Sequence, residues 1–445
     1  MPALQLTLKN TMQHYIEEFN QIKTGLADTG LPWVQAWREA ALQRFVEQGF
    51  PTTNNEEWKY TRVDALTRTP FKRMPRVPHT LTLADLKPYL PKDLSSHRVV
   101  FVNGYYDAAL SAISQLPKEV QCLNLATALT APPSLAMADY FATLIQNTQP
   151  SFTALNQAFM ADGLYLEVPE NCHIADPIHL LFITTTAADN QAIYPYNFII
   201  AKANSKVKLL ETYVAISPNR YFTNALTEIF IAKDAHVSHC KLQQESDKAF
   251  HISNTKVQQE TASEFHSLAI ALGANLARSD IEVALNAPHA HCNLYGLYAG
   301  RGQQHLDQHT RIDHLKPQCT SREVYKGVLD DKARGVFNGK VYVHVDAQKT
   351  VAEQSNKNLL LSEHAEADTK PQLEIYADDV KCTHGATVGQ LDANAVFFLQ
   401  TRGIDAEAAR SLLTYGFINE VLQQEENEFL RQHLQQLITQ HVERI

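Results

Sequence analysis

The chain has 445 residues, 44% of them hydrophobic and 20% charged, with a formal charge of −9. That balance fits an ordinary globular protein with a real core. It provides no general attraction to nucleic acid or to an anionic membrane, so neither is expected as a partner.

In chain order, the N-terminus Met1-Pro-Ala-Leu-Gln-Leu-Thr-Leu8 lacks the basic start and apolar run of a secretory signal. No apolar stretch is long enough to cross a bilayer, so the expected location is the cytoplasm. Residues 1–163 read as a mostly helical domain. Pro32 to Gly49 has helical spacing through Trp33, Trp37, Ala40, Ala41, Arg44 and Phe45, with a first-turn proline and a closing glycine. Residues 68–93, rich in proline and basic side chains, read as a linker. Val99 to Val102 followed by Asn103-Gly104 reads as a strand and turn. Helical spacing returns from about Ala136 to Gly163.

From Leu164 the pattern changes to short alternating runs: Val207 to Tyr213, Glu228 to Ile231, and Lys340 to Val345. In the last of these, Val341, Val343 and Val345 share one face while Tyr342 and His344 share the other. Small turns centred on alanine recur at 235, 262, 290, 333, 347 and 365, separated by 27, 28, 43, 14 and 18 residues. Closely spaced strands with recurrent small turns suit a β-solenoid, and equally a β-sandwich or jelly roll. This β core is expected over 164–395.

Helix returns over 396–445. Asp405 is a plausible N-cap ahead of Ala406, Ala408, Leu412 and Leu413. Glu420 to Ile445 has a second apolar stripe through Val421, Leu422, Phe429, Leu430, Leu434, Leu437 and Ile438, and Gly416 is expected to separate or kink the two. Such a tail either caps the core or docks a partner.

The six cysteines (122, 172, 240, 292, 319 and 382) are scattered, with no Cys-x-x-Cys pair. They read as reduced thiols, mostly in the core. A phosphate loop, a Gly-x-Gly-x-x-Gly turn, a Gly-x-Ser-x-Gly elbow and a His-Glu-x-x-His helix are all missing, which weakens an enzymatic reading. Cys382 and His384 are two apart, so on a strand both leave one face with Cα atoms about 6–7 Å apart. A thiolate and an imidazole there suit a soft or borderline metal such as iron, completed by a second chain. The bland alternative is one core residue and one solvated residue. A second concentration runs through His289, His291, Cys292, His305, Asp307, His309, Asp313, His314 and Cys319; it is either a metal cluster or a set of histidines stacking and capping polar turns. His239 and Cys240 are adjacent and should face opposite ways, the cysteine to the core and the histidine to the surface. Asp378 and Asp379 are likewise read as facing opposite sides of a strand, which disfavours a β-helix carbohydrate enzyme.

Several segments resemble the SufB/SufD family of iron–sulfur assembly scaffolds: Tyr325 to Leu329, Arg334 to Lys340, Gln354 to Ser362 and Pro371 to Gly385. Gly49 to Thr53, Glu57 to Thr61, Arg402 to Asp405 and Leu413 to Phe417 match as well. The run Cys382-Thr-His-Gly385 is similar to the SufD branch. That branch lacks the glutamate after the histidine and the cluster-related cysteine of SufB; here Asn356 stands near the place of that cysteine. The resemblance implies a right-handed parallel β-helix between N-terminal and C-terminal helical domains. It implies a non-catalytic scaffold that pairs with SufB; whether the chain in isolation also forms a homodimer is left open by the sequence. It implies docking of the ATPase SufC on the C-terminal helices, through Arg402, Gly403, Leu412, Leu413, Tyr415 and Phe417. No cofactor is expected to be tightly bound; His384 and Cys382 become candidate ligands for transient iron or a cluster shared with SufB. The alternative is a purely structural module without metal ligands.

Overall fold

The computed structural model describes residues 2–23, 31–92, 94, 96–130 and 150–442. Its centre is a parallel β-solenoid, not a sandwich: each coil contributes one strand to each of two sheets, and every strand pairs with the strand one coil away. The first sheet runs from Leu164–Val168 through Tyr196–Ala201, Phe222–Ile231, Phe250–Gln259, Leu276–Leu285, His305–His314 and Arg334–Val343 to Glu366–Ile375. The second runs from Ile178–Thr184 through Lys206–Ala215, His236–Gln244, Glu264–Ala271, His291–Gly300, Thr320–Leu329 and Val351–Leu360 to Lys381–Gly389.

The turn chemistry explains the uneven alanines. Strands of the second sheet begin 27 to 31 residues apart, by subtraction of their first residues from Lys206 onward. Just before each of six successive starts sits a fully buried small residue: Ser205, Ala235, Ser263, Ala290, Cys319 and Thr350. The residue before it has positive φ: Asn204, Asp234, Ala262, His289, Gln318 and Lys349. A left-handed residue turns the chain, and a small side chain then fits inside the stacked corner. The corners hydrogen-bond coil to coil, as from Asp234 N to Thr261 O at 3.0 Å. Ala333 and Ala365 precede strands of the first sheet, so the alanine spacing mixed two corner series. In Arg334–Val343, Val341 and Val343 share one face as expected and are buried, but the strand stops there and Val345 is 66% exposed.

The two ends of the solenoid differ. At the N-terminal end each sheet is capped by an antiparallel strand, Gln121–Asn124 on the first and Tyr105–Ala112 on the second. His97–Val102 turns into Tyr105–Ala112 at Asn103-Gly104, both with positive φ, as the sequence predicts. At the C-terminal end Glu366–Ile375 and Lys381–Gly389 are bare edges.

Helices cover the outer faces. Pro32–Gln48 begins on Pro32 and stops at Gly49, whose φ is 67°. Tyr15, Phe45, Phe50, Phe71 and Phe159 pack with Phe222, Phe250 and Leu276 on the outside of the first sheet. Each such ring contributes roughly 1.5–3 kcal/mol. Residues 68–93 are not a free linker: Phe71, Met74 and Leu86 are buried, and Lys72–Arg73 pairs with Gln191–Ile193. The helix expected from about Ala136 lies outside the described residues up to 149; Ser151–Phe159 is helical.

In the tail, Asp405 caps Ala406–Leu422 by accepting from Ala408 N at 2.9 Å. That helix runs unbroken through Gly416; the break falls between Leu422 and Glu428. Helix Ala393–Gln400, missed in the sequence, precedes it. Ile418, Val421, Leu422, Leu430, Leu434 and Ile438 cover Leu210, Cys240, Leu242, Leu268, Ile270 and Leu297 on the outside of the second sheet.

Candidate functional site

The strand Lys381–Gly389 is hydrogen-bonded on one side only, to Val351–Leu360. It is nine residues long, contains no proline, and most of it is exposed. An edge of that kind is a template for another strand. Its neighbour edge, Glu366–Ile375, carries Pro371, which cannot donate to a ladder.

Cys382 and His384 lie on the strand Lys381–Gly389 and share a face, as their spacing predicts. Cys382 is opposite Ala352 in register and packs, half-buried, against the small apolar cluster of Val341, Val343, Ala347, Ala352 and Ala377. This is the inner face of the last coil. His384 is therefore an inward-facing residue that stays exposed because no further coil covers it. Burial pushes the Cys382 thiol up, opposed by a hydrogen bond with the backbone of Ala352. Among the described residues no group of three or more His, Cys, Asp or Glu side chains could hold a metal ion. One thiol and one imidazole make an incomplete site.

The floor beneath His384 is polar. Gln354 precedes it in register and Glu323 precedes Gln354. Gln354 Nε2 donates to Glu323 Oε2 at 2.7 Å, and Thr310, from the opposite sheet, donates its hydroxyl to Glu323 Oε1. Burial lifts the Glu323 carboxyl to about 7. Asn356 is fully buried beside this row and donates to Tyr298 Oη at 3.1 Å and to Tyr325 O at 3.2 Å. It offers no exposed ligand. Gly339 makes room: a Cβ there would sit 2.4 Å from Gln354 Nε2.

The histidine-rich stretch is dispersed across the fold. His289 turns a corner and the exposed His291 bonds Thr320 Oγ1 at 2.6 Å. Cys292, His314 and Cys319 face the interior or a corner, with His314 Nε2 at 2.9 Å from Ser321 Oγ. His305, Asp307 and His309 lie on the outside of the first sheet, where they hold the segment Glu57–Thr61. Arg278 stacks over Trp58 at 3.7 Å, donates to Glu57 O at 2.6 Å and pairs with Asp307 at 3.0 Å. Thr61 Oγ1 donates to Asp307 Oδ2 at 2.6 Å. Burial works against the Asp307 charge, but His309 and Arg278 hold its pKa well below the carboxylate range. This is a structural clamp that fastens the N-terminal region to the solenoid.

Two expectations are corrected. His239 and Cys240 do face opposite ways, but both are buried: Cys240 under the C-terminal helices, and His239 bonded to Glu211 at 2.8 Å with Lys241 nearby. Burial opposes the charge of Glu211, yet His239 and Lys241 bring it down to about 2. Asp378 and Asp379 are on no strand; they form the bend between the last two, where Asp379 pairs with Lys349.

On the tail, Arg402, Gly403 and Leu412 are exposed, while Leu413, Tyr415 and Phe417 are half-buried. Phe417 turns to the solenoid: Lys326 Nζ sits 4.5 Å from its ring and donates to its carbonyl at 2.7 Å. Phe397 and Phe398, absent from the sequence-based set, are 66% and 57% exposed, and Leu412 on the following helix is 56% exposed. Their signal was two adjacent phenylalanines in a helix with little other core burial.

Residues 182–417 match the family model described as SUF system FeS cluster assembly, SufBD core domain. Residues 9–180 match the SufBD protein N-terminal region. The chain belongs to the SufBD family. Among SufBD proteins it is 33% identical over 401 residues to the iron-sulfur cluster assembly protein SufD of Escherichia coli, covering 88% of this chain and 89% of that one. It is 33% identical to an iron-sulfur cluster assembly SufBD family protein of Synechocystis, covering 90% of each. SufD of Bacillus subtilis is 27% identical over 65% of this chain and 66% of its own. The SufBD core match spans the bare edge and the tail as far as Phe417, and the N-terminal match includes the clamped segment Glu57–Thr61.

Proposed function

We propose that this chain is a non-catalytic scaffold subunit of SUF iron–sulfur cluster assembly, most similar in role to SufD. It pairs through its bare solenoid end with a SufB-type subunit. It captures a SufC-type ATPase on its C-terminal helices, and its expected setting is the cytoplasm; no described helix is long and apolar enough to cross a membrane. The observation that carries this reading is the uncapped strand Lys381–Gly389, which brings a half-buried thiol and an exposed imidazole to the same face of an open edge.

An added strand would satisfy the free backbone groups of that edge and bring its own ligands beside Cys382 and His384. Iron or a nascent cluster is then the cargo, held across the boundary and released when the boundary opens. Nucleotide-driven movement of the ATPase would reach the boundary through the tail, which packs along the second sheet. The exposed Phe397, Phe398 and Leu412 offer an apolar anchor for that ATPase.

One co-expression experiment tests both surfaces. The chain is purified with SufB-type and SufC-type subunits, and iron content and subunit masses are measured. His384→Ala should leave the assembly intact and lower its iron content several-fold. Phe397→Asp with Phe398→Asp should release the ATPase and leave the SufB-type subunit bound. Full iron content in the first variant removes His384 from the site, and undiminished ATPase capture in the second removes the apolar anchor.

A further inference from the structure

A cavity of about 910 Å³ opens on the outside of the first sheet, beside the Arg278 clamp. Its floor is formed by the strands Phe222–Ile231, Phe250–Gln259, Leu276–Leu285 and His305–His314. One wall is formed by the loop after Gly49 and the start of the helix Ser151–Phe159. That volume is in the range of small-molecule sites. Phe152, Phe230 and Ile252 give it apolar surface.

Its polar lining is short of hydrogen-bond donors. Glu228 is 1% exposed, and one of its carboxylate oxygens accepts from the Tyr196 hydroxyl. The other, Oε1, is buried and has no hydrogen-bond partner among the described residues. Asn254 Oδ1 and Thr153 Oγ1, in the same cavity, are buried and unpartnered as well. Asn254 Nδ2 donates to Glu282 Oε1 at 3.5 Å, so inverting the amide would set oxygen against oxygen. Asn254 is opposite Leu226 in register, two residues from Glu228, which makes Asn254 and Glu228 diagonal neighbours on one face.

The charges point the same way. Glu228, Lys256 and Glu282 follow one another in register on three strands, so two carboxylates flank one ammonium. The other lysine and arginine side chains of the cavity are committed elsewhere: Arg278 to Asp280 and Asp307, Arg311 to Asp313, and Lys340 to Glu374. Buried acceptors beside excess negative charge call for a donor that is itself a cation. An ammonium has three N–H donors and no acceptor, which matches three unmet acceptors.

We propose that this cavity binds a primary ammonium carried on an extended aliphatic stem. Glu228 Oε1, Asn254 Oδ1 and Thr153 Oγ1 hold the nitrogen, and the stem lies against Phe152 and Ile252. A free linear amine and the lysine side chain of a partner protein present this same chemistry. The site shares no residue with the proposed iron site.

The test measures binding to the full-length chain by titration calorimetry at pH 8, above the value of about 7 to which burial lifts Glu228. The probes are n-pentylamine, spermidine and the peptide acetyl-Gly-Lys-Gly-amide. The controls are 1-pentanol and pentanoate, which keep the stem and lack the cation. At least one amine probe should saturate with a Kd below about 1 mM, and about tenfold or more tighter than 1-pentanol. Glu228→Gln keeps an acceptor for Tyr196 and removes the charge, so it should weaken amine binding about tenfold or more, the worth of one charged hydrogen bond. Glu282→Gln, at a less buried position, should weaken it by a smaller factor. Spermidine binding tighter than the peptide identifies a free amine as the ligand, and the reverse order identifies a partner's lysine. Amine binding no tighter than that of 1-pentanol overturns the proposal. So does unchanged amine affinity in folded Glu228→Gln, or in Glu282→Gln if the former does not fold.

Discussion

Arg278→Ala should unfasten the N-terminal region from the solenoid. The Arg278 side chain is 2% exposed and its partner Asp307 is 0% exposed. The guanidinium also holds Asp280 at 2.8 Å, the Glu57 carbonyl at 2.6 Å and the Trp58 ring at 3.7 Å. Truncating it strands a buried carboxylate with His309 and Thr61 as its remaining partners. Breaking a buried pair from one side costs about 3–5 kcal/mol. Losing the desolvated cation–π contact adds to this, by up to about 2 kcal/mol. The destabilisation should be about 4 kcal/mol in urea unfolding at pH 7, accompanied by faster proteolytic cleavage between Gly49 and Thr61. Adding Asp307→Asn removes the stranded charge, so the double variant should be more stable than Arg278→Ala alone. A loss below about 1 kcal/mol, or a double variant no better than the single, would refute the clamp as a buried-charge device.

Two further outcomes follow from the interior. The folded chain raises the Glu323 carboxyl from 4.5 to about 7, so the native state holds this proton more tightly than the unfolded state. The contribution of this group to stability therefore falls as pH rises through that window, by at most about 3 kcal/mol; Glu323→Gln should flatten the decline measured by denaturant titrations from pH 4.5 to 7, and an unaltered slope counts against the burial argument. Gly339→Ala would place a Cβ 2.4 Å from Gln354 Nε2 and 2.6 Å from the Phe337 ring, so it should lower stability by about 1–3 kcal/mol through overpacking; a neutral result in thermal unfolding would mean that the row can shift.

Some elements were readable because their causes are local. Pro32 and Gly49 bracket a helix, and Asp405 caps another, through contacts within a few residues. The shared face of Cys382 and His384 follows from the two-residue period of any strand. The choice between solenoid and sandwich had no such local cause, since the deciding hydrogen bonds join residues one whole coil apart. The polarity of the interior was hidden for a related reason. In Val351–Leu360 the inward residues include Gln354, Asn356 and Asn358, while Val351 is 38% exposed. Alternation identifies two faces, but hydrophobicity then assigns the wrong one to the inside. The same inversion put His239 on the surface, when Glu211 in fact receives it within the core.

By itself the amino-acid sequence determined the local conformations, the family resemblance and the pairing of a thiol with an imidazole on one face. Only the tertiary structure decided that this face belongs to the last, uncapped coil, with Gln354 and Glu323 stacked beneath it. Whether a strand is internal or terminal depends on what lies one coil further along, and no window of neighbouring residues contains that information. The solenoid simply ends at Gly389, and the chemistry of the proposed site comes from that ending.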